Sequence, residues 1–201
     1  MKNNLKLAHG YLIFYIFPPN MTLPLASKRL TLTLASLDDL DFIHELNSFP
    51  ESAQFNTMGV PKNLEVTRAH VETCIENHSA ERIERYSFVI SSGTEKLGTI
   101  GLNLKPHRYK GGEVWYTIHP EHWGKGIATE ALNLVLDFGF NELKLHRIAA
   151  GCAVGNIGSI RVLEKVGMIR EGRGRQILPL PSGWSDNFEY SILDSDPRVT
   201  L

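Results

Sequence analysis

The sequence predicts an α/β (α+β) single domain whose mixed, mostly antiparallel central sheet has about seven strands flanked by about four helices. Three observations lead there. At 201 residues the chain is long enough for one well-packed domain and short for two. Its middle third strings strand patterns together with glycine turns between them. The apolar period then changes to a helical one at Ile127, directly behind a strand.

Composition narrows the class. Apolar residues make up 42% and charged residues 21%, the balance of an ordinary globular protein. The formal net charge is -1 with Lys and Arg scattered among acids, so no nucleic-acid partner is expected. Arg161, Lys165, Arg170, Arg173 and Arg175 form one locally basic stretch, either a solvated surface or a rim that attracts an anionic cofactor or partner. Cys74 and Cys152 stand far apart without a paired motif, which excludes a disulfide-stapled scaffold and a zinc knuckle. No metal is expected. Two buried thiols in a reducing, cytoplasmic compartment are.

The first twenty residues are read separately. Tyr11 to Phe17 is an aromatic-rich apolar run behind Lys2 and Lys6, far short of the roughly 20 residues a membrane span needs. No small-residue cleavage site follows it, as a signal peptide would require. Residues 1–20 are therefore expected to be an extension, with Met21 as a candidate start, and residues 21–201 to form the domain. No membrane partner is expected.

The elements follow in order. Arg29 to Leu34 alternates apolar and hydroxylated residues and reads as a strand. Ser36 and Asp39 resemble a capping box opening a helix through Leu37, Leu40, Ile43 and Leu46. Residues 50–62 read as a loop with room for a short helical turn. Asn63 can cap a second helix with Val66, Val71, Cys74 and Ile75 as its apolar positions. Tyr86–Ile90, Leu97–Leu104 and Glu113–Ile118 form a meander turned by Gly93 and by Gly111-Gly112. Ile127 to Phe140 is helical, with Glu130, Asn133, Asp137 and Asn141 as a narrow polar stripe, so the helix is covered on most sides. Arg147–Ala150 is a short strand. Asn156 caps a helix with Ile160, Leu163 and Val166 inward and Gly167 as its left-handed stop. Met168 opens a strand, Pro179 to Gly183 turns, and Phe188–Leu193 closes the fold.

The chemistry concentrates between Tyr116 and Glu130. A strand runs into Pro120, the chain turns through Gly124 and Gly126, and a helix begins at once. A helix start carries unpartnered N–H groups and the positive end of the macrodipole, and glycines let a diphosphate approach the backbone. Small Ala128 keeps the next turn close to such a ligand. A bare G-x-G is more often only a tight connection. Two nucleotide motifs fail by spelling: Lys125 precedes Gly126 where a Walker loop needs the reverse, and Thr129 stands where a dinucleotide fingerprint needs its third glycine.

Ile118 to Leu132 resembles the coenzyme-A-binding motif of the GNAT acetyltransferase superfamily, whose [RQ]-x-x-G-x-[GA] falls on Trp123-x-x-Gly126-x-Ala128. Trp123 in place of Arg or Gln, within His119 to Leu132, is similar to the branch that acetylates N-termini of ribosomal proteins. Asn156 to Met168 resembles that branch's N-x-x-S-x-x-x-x-E-K-x-G-[FM] helix, and Trp184 to Leu193 its closing strand. The likeness spans residues 27 to 193.

The resemblance implies acetyl-CoA as co-substrate. It implies that the amides of Gly124, Lys125, Gly126, Ile127, Ala128 and Thr129, behind Trp123, hold the pyrophosphate. The strand ending at Ile118 would pair with the pantetheine arm and offer an N–H to the thioester oxygen. Asn156 would cap its helix and reach the arm. The tyrosine acid of many members falls on Leu163 and is absent, which leaves Ser159 as the donor to the departing thiolate. Glu113 is the first candidate base, His119 the second and Asp186 the third. No cysteine near the motif argues for an acetyl-enzyme. Trp115 stands where the family often has glycine, which puts the strand contour and the acceptor space in question. Phe49, Phe55 and Trp184 either line the acceptor entrance or belong to the core. The expected partner is an amine-bearing small molecule or a protein N-terminus, with a homodimer as the assembly to test. The alternative is a coenzyme-A-binding sensor or structural domain with weak catalysis.

Overall fold

The computed structural model describes residues 22–198, preceded by a backbone pairing of Leu7–Ala8 with Tyr11–Leu12. The extension and the Met21 start therefore fall largely outside the described residues. Eight strands form one sheet: β1 (Leu25–Ala26), β2 (Thr31–Leu34), β3 (Arg85–Ser92), β4 (Glu95–Leu104), β5 (Gly111–Ile118), β6 (Arg147–Ala153), β7 (Ile169–Leu180) and β8 (Gly183–Leu193). Their spatial order is β1-β2-β3-β4-β5-β6-β8-β7. Every pair is antiparallel except β5 with β6.

The helices are α1 (Leu40–Ser48), α2 (Pro50–Ala53), α3 (Leu64–His78), α4 (Ile127–Asp137) and α5 (Ile157–Lys165). The sheet has eight strands where about seven were expected, and among the described residues there are five α-helices where about four were. Both additions are too short to show a period. β1 is two residues behind Pro24, and α2 is a single turn begun by Pro50, whose fixed φ suits a first helical position. The last hairpin also turns more tightly than Pro179–Gly183: β7 runs to Leu180 and β8 starts at Gly183. Irregular pairing at Ser185 and Asn187 hides the alternation of β8 from the sequence.

Two layers cover the sheet. On one face α4 and α5 bury Leu132, Val135, Leu136 and Leu163 against Phe88, Ile100, Ile148 and Ile192. Fully burying such a side chain contributes about 1.5–3 kcal/mol. On the other face α1 and α3 pack Leu40, Ile43 and Val71 against Val89. The Asn63 side chain accepts from the Val66 N–H and caps α3 as expected, but Val66 itself faces out. The inward stripe of α3 is Thr67, Val71, Cys74 and His78. Helix α4 ends in a wide π-type turn over Phe138–Glu142 instead of continuing as α-helix.

Its polar stripe is clamped at both ends. Arg29 forks onto Glu130, and Arg198 reaches Asp137 at 3.1 Å and the Asn133 carbonyl at 3.3 Å. Among the described residues, no helix is long and apolar enough to cross a membrane.

Candidate active site

The turn after β5 takes its shape from local residues. Pro120 starts a single 3-10 turn to His122, and Gly124 and Gly126 follow with φ of +75° and +79°. Few side chains tolerate that backbone, so glycine is required here. The first bond of α4 runs from the Glu130 N–H to the Gly126 carbonyl. The amides of Ile127, Ala128 and Thr129 therefore have no partner within the helix, and no side chain caps them. A Cβ on Gly124 would meet nothing within 4 Å, so the turn is open to a ligand. Around it lie Lys125, whose Nζ is 3.4 Å from Nδ1 of His122, and the exposed ring of Trp123.

The second feature is a gap in the sheet. β5 and β6 pair only through Gly111, Gly112 and Glu113 against Arg147, Ile148 and Ala149, and then part. The His119 N–H and the Gly111 carbonyl both bond to β4 or its flanking loop. Strand alternation then turns the main-chain groups of Val114, Tyr116 and Ile118 toward the gap. The Ile118 carbonyl is already taken by the indole Nε1 of Trp123 at 2.7 Å, so Ile118 offers its N–H. Tyr116 offers both an N–H and a carbonyl.

The start of α5 borders this gap. The Asn156 side chain accepts from the Ser159 N–H at 3.1 Å, closing the cap. Ser159 Oγ lies 2.7 Å from the Tyr116 hydroxyl, which also donates to the Ser159 carbonyl at 3.3 Å. Cys152 is brought against Ser159 as well, so a cysteine does stand beside the site. Burial pushes its thiol up, against the hydrogen bonds from Ser159 and Ile160 that would lower it. A neutral buried thiol is a poor nucleophile. Leu163 is buried one turn further on and offers no hydroxyl.

The three base candidates separate. Glu113 is exposed at the last rung of the β5–β6 ladder, directly where the gap opens. His119 Nδ1 accepts from the Glu121 N–H at 3.3 Å, and its ring meets Phe49 edge-on at 4.7 Å. Asp186 accepts from the Gln176 N–H at 2.8 Å and from Arg173 Nε at 2.6 Å. Those bonds hold its carboxyl below the usual range, so it is tied up as an ion-pair partner.

Residues 29–169 match the acetyltransferase (GNAT) domain family. The chain belongs to the GNAT acetyltransferase family. It is an acetyl-CoA-dependent N-acetyltransferase. A probable N-acetyltransferase of Bacillus subtilis (strain 168), YjcK, is 40% identical over 119 residues, 58% of this chain and 66% of that one. A putative ribosomal N-acetyltransferase of the same organism, YdaF, is 36% identical over 96 residues, 48% of this chain and 52% of that one. Spermidine N-acetyltransferase from Vibrio cholerae, solved with CoA and spermine, superposes with a TM-score of 0.76 at 25% identity, over 84% of this chain and 98% of that one.

The sheet face opposite α4 and α5 carries the remaining aromatic residues singled out in the sequence. Trp115 lies there without disturbing the β4–β5 register, because Gly101 on β4 leaves room for its ring. The glycine has in effect moved to the neighbouring strand. Phe55 packs toward Gly155, Phe49 against His119, and Trp184 is 68% exposed on the β7–β8 hairpin. Pro50, Glu51 and Gln54 of the α2 region face Pro181 and Ser182 of the hairpin tip across an open groove of about 370 Å³. Asn187, on this same face, lies against Gly151 with its Oδ1 buried and unpaired.

Sequence reasoning missed the contacts that Tyr116, Arg29 and Cys152 make around the turn and the gap. Only Tyr116 left a trace: it shares the phase of Val114 and Ile118, and a tyrosine on a buried strand face needs a partner for its hydroxyl.

Proposed function

We propose that this acetyltransferase moves the acetyl group directly from acetyl-CoA to a protein N-terminal α-amine within a ternary complex. The observation that carries the reading is the alignment of two sets of free donors: the amides at the start of α4 and the main chain of Tyr116 and Ile118 along the gap. The first set, at Gly124 to Thr129, suits the pyrophosphate, with Lys125 adding charge. The second suits an extended amide-bearing arm and the thioester oxygen. Asn156 and Ser159 close the other wall.

In the transfer, the amine lone pair forms the C–N bond and the C–S electron pair leaves with sulfur. The surplus amine proton passes to water held by Glu113, and the Ser159 hydroxyl donates a hydrogen bond to the departing sulfur. An α-amine suits so exposed a base. At pH 7 roughly 10–20% of such an amine is already neutral, against about one in 2,500 for a lysine amine. The groove between Glu51 and Ser182 supports a peptide over a polycation, since Glu51 is its one carboxylate among the described lining residues. Free, buried thiols at Cys74 and Cys152 suit a reducing, cytoplasmic setting.

The test is acetyl-CoA turnover against short peptides with free N-termini, the same peptides N-terminally blocked but carrying lysine, and spermidine. Free N-termini should lead in kcat/KM by at least about tenfold, the ratio a 1.4 kcal/mol preference gives. A lead for spermidine would replace the acceptor assignment, and binding without turnover of any amine would support the sensor alternative.

A further inference from the structure

Ser159 can help a departing thiolate only if its single proton points into the gap. A serine hydroxyl has one donor and two acceptor positions and rotates to suit its neighbours. Here it has two. The Tyr116 hydroxyl is 2.7 Å away, and the Cys152 thiol is the other polar neighbour.

Which group donates to which follows from the surroundings. The Tyr116 hydroxyl also sits 3.3 Å from the Ser159 main-chain carbonyl, which can only accept. Burial holds the phenol in its protonated form far above neutral pH, more than offsetting the hydrogen bond with Ser159. A phenol has one proton, so the 2.7 Å contact with the Ser159 hydroxyl oxygen is the main branch of a forked bond and the 3.3 Å contact with the carbonyl the lesser one. The Cys152 thiol is placed to send its own proton to the carbonyls of Ala153 at 3.4 Å and Asn156 at 3.6 Å, leaving sulfur lone pairs to accept. The serine proton is then turned away from the tyrosine and left free for another acceptor.

We infer that Tyr116 is a positioning residue for the transfer, fixing the Ser159 hydroxyl so that its proton is presented to the coenzyme sulfur as the C–S bond breaks. The inference rests on the reading of Ser159 given above. No proton leaves Tyr116: the phenol donates hydrogen bonds throughout, and sulfur carries away the electron pair of the broken bond. The arrangement also explains how the site works with Leu163 where a hydroxyl is absent, since a tyrosine on β5 supports the serine across the gap.

The experiment is a double-mutant cycle of Tyr116→Phe and Ser159→Ala, with kcat and KM for acetyl-CoA measured at saturating acceptor. Phenylalanine keeps the ring and removes only the O–H. Tyr116→Phe should lower kcat by about tenfold, the worth of one well-placed hydrogen bond, with KM for acetyl-CoA within about twofold. In the Ser159→Ala background the same change should cost less than about twofold, because the group it positions is gone.

If Ser159→Ala lowers kcat while Tyr116→Phe matches wild type, the tyrosine inference is overturned and the serine reading stands. If Ser159→Ala itself leaves kcat unchanged, both fall. Equal losses from Tyr116→Phe in both backgrounds would mean that the tyrosine acts through packing alone, which also overturns the inference. A thermal melt of each variant separates such packing losses from the kinetic ones.

Discussion

Arg29 and Glu130 join the turn before β2 to the first turn of α4 in a forked ion pair, with the Ser27 hydroxyl as a third member at 2.6 Å. Arg29 also lies 3.8 Å from where a Cβ on Gly126 would stand, so the pair braces the Gly124–Gly126 turn from the side. Partial burial would raise the Glu130 carboxyl, but hydrogen bonds from Ser27 and Arg29 outweigh it and hold it below the usual range. A lowered carboxylate stabilises the fold above its unfolded pKa, and that contribution is lost as pH falls through the folded value. Arg29→Met should cost about 1 kcal/mol at pH 7, roughly 2–4 °C in Tm for a domain of this size. Glu130→Gln should cost a similar amount at pH 7 and show less further loss on acidification below about pH 4.5. Melts at pH 7 and pH 4 check both, and an unchanged acid slope in Glu130→Gln would refute the linkage.

The turn itself can be tested by separating conformation from charge. Gly126 has φ of +79°, a conformation that Asn tolerates best among non-glycine residues. Gly126→Asn should keep acetyl-CoA binding within about tenfold, since its strain is on the order of 1 kcal/mol. Gly126→Glu, bulky and anionic, should abolish it. Calorimetric titration of both variants with acetyl-CoA is the measurement, and a wild-type Kd for Gly126→Glu would remove the pyrophosphate from this turn.

A second pH dependence lies away from the site. His78, at the end of α3, is buried, and its Nε2 accepts the Ser87 N–H at 3.1 Å. Burial pushes the imidazole down to about 4. Between that value and about 6.5 the unfolded chain binds a proton that the folded chain refuses, so stability falls with pH across this window, by on the order of 3 kcal/mol at its lower end. Replacing His78 with Gln, which can still accept from Ser87, should flatten that slope in urea unfolding at pH 7, 5.5 and 4.5. A slope equal to wild type would assign the acid sensitivity elsewhere.

Trp115 and Gly101 should behave as one unit. A methyl group on Gly101 would collide with the indole, so Gly101→Ala should destabilise by about 1–3 kcal/mol. Trp115→Gly opens that space, and the double variant should recover about 1 kcal/mol or more of the alanine cost. Additive losses in chemical unfolding would show that the two residues do not share the space.

These cases show what a sequence can carry. The glycines at 124 and 126 and the Asn156 cap act on neighbours within three residues, so their role is local and legible. Strand phase is local in the same way: alternation along the predicted strands matches the structure's burial of Leu102, Val114 and Ile118. What failed to show depends on partners brought together by the whole fold. Arg29 and Glu130 are 101 residues apart, and Tyr116 and Ser159 are 43 apart. Alternation says that Tyr116 faces inward, but it cannot say which hydroxyl waits there. Trp115 illustrates the limit from the other side: its bulk looked like an obstacle because the compensating Gly101 belongs to another strand. Asp186 sat in a plausible motif position, and only three dimensions reveal that Arg173 already occupies it.

The short ladder between β5 and β6 has a mechanical meaning. Five strands stand on one side of it and three on the other, and three rungs, with the Lys110 carbonyl just before them, join the two half-sheets. A molecule lying along the open edge would act as a keystone, lengthening that seam with its own amides. Occupancy should then stiffen the protein far beyond the residues touched, slowing deuterium uptake on both flanks of the opening, and release of the spent carrier would return the halves to their looser state.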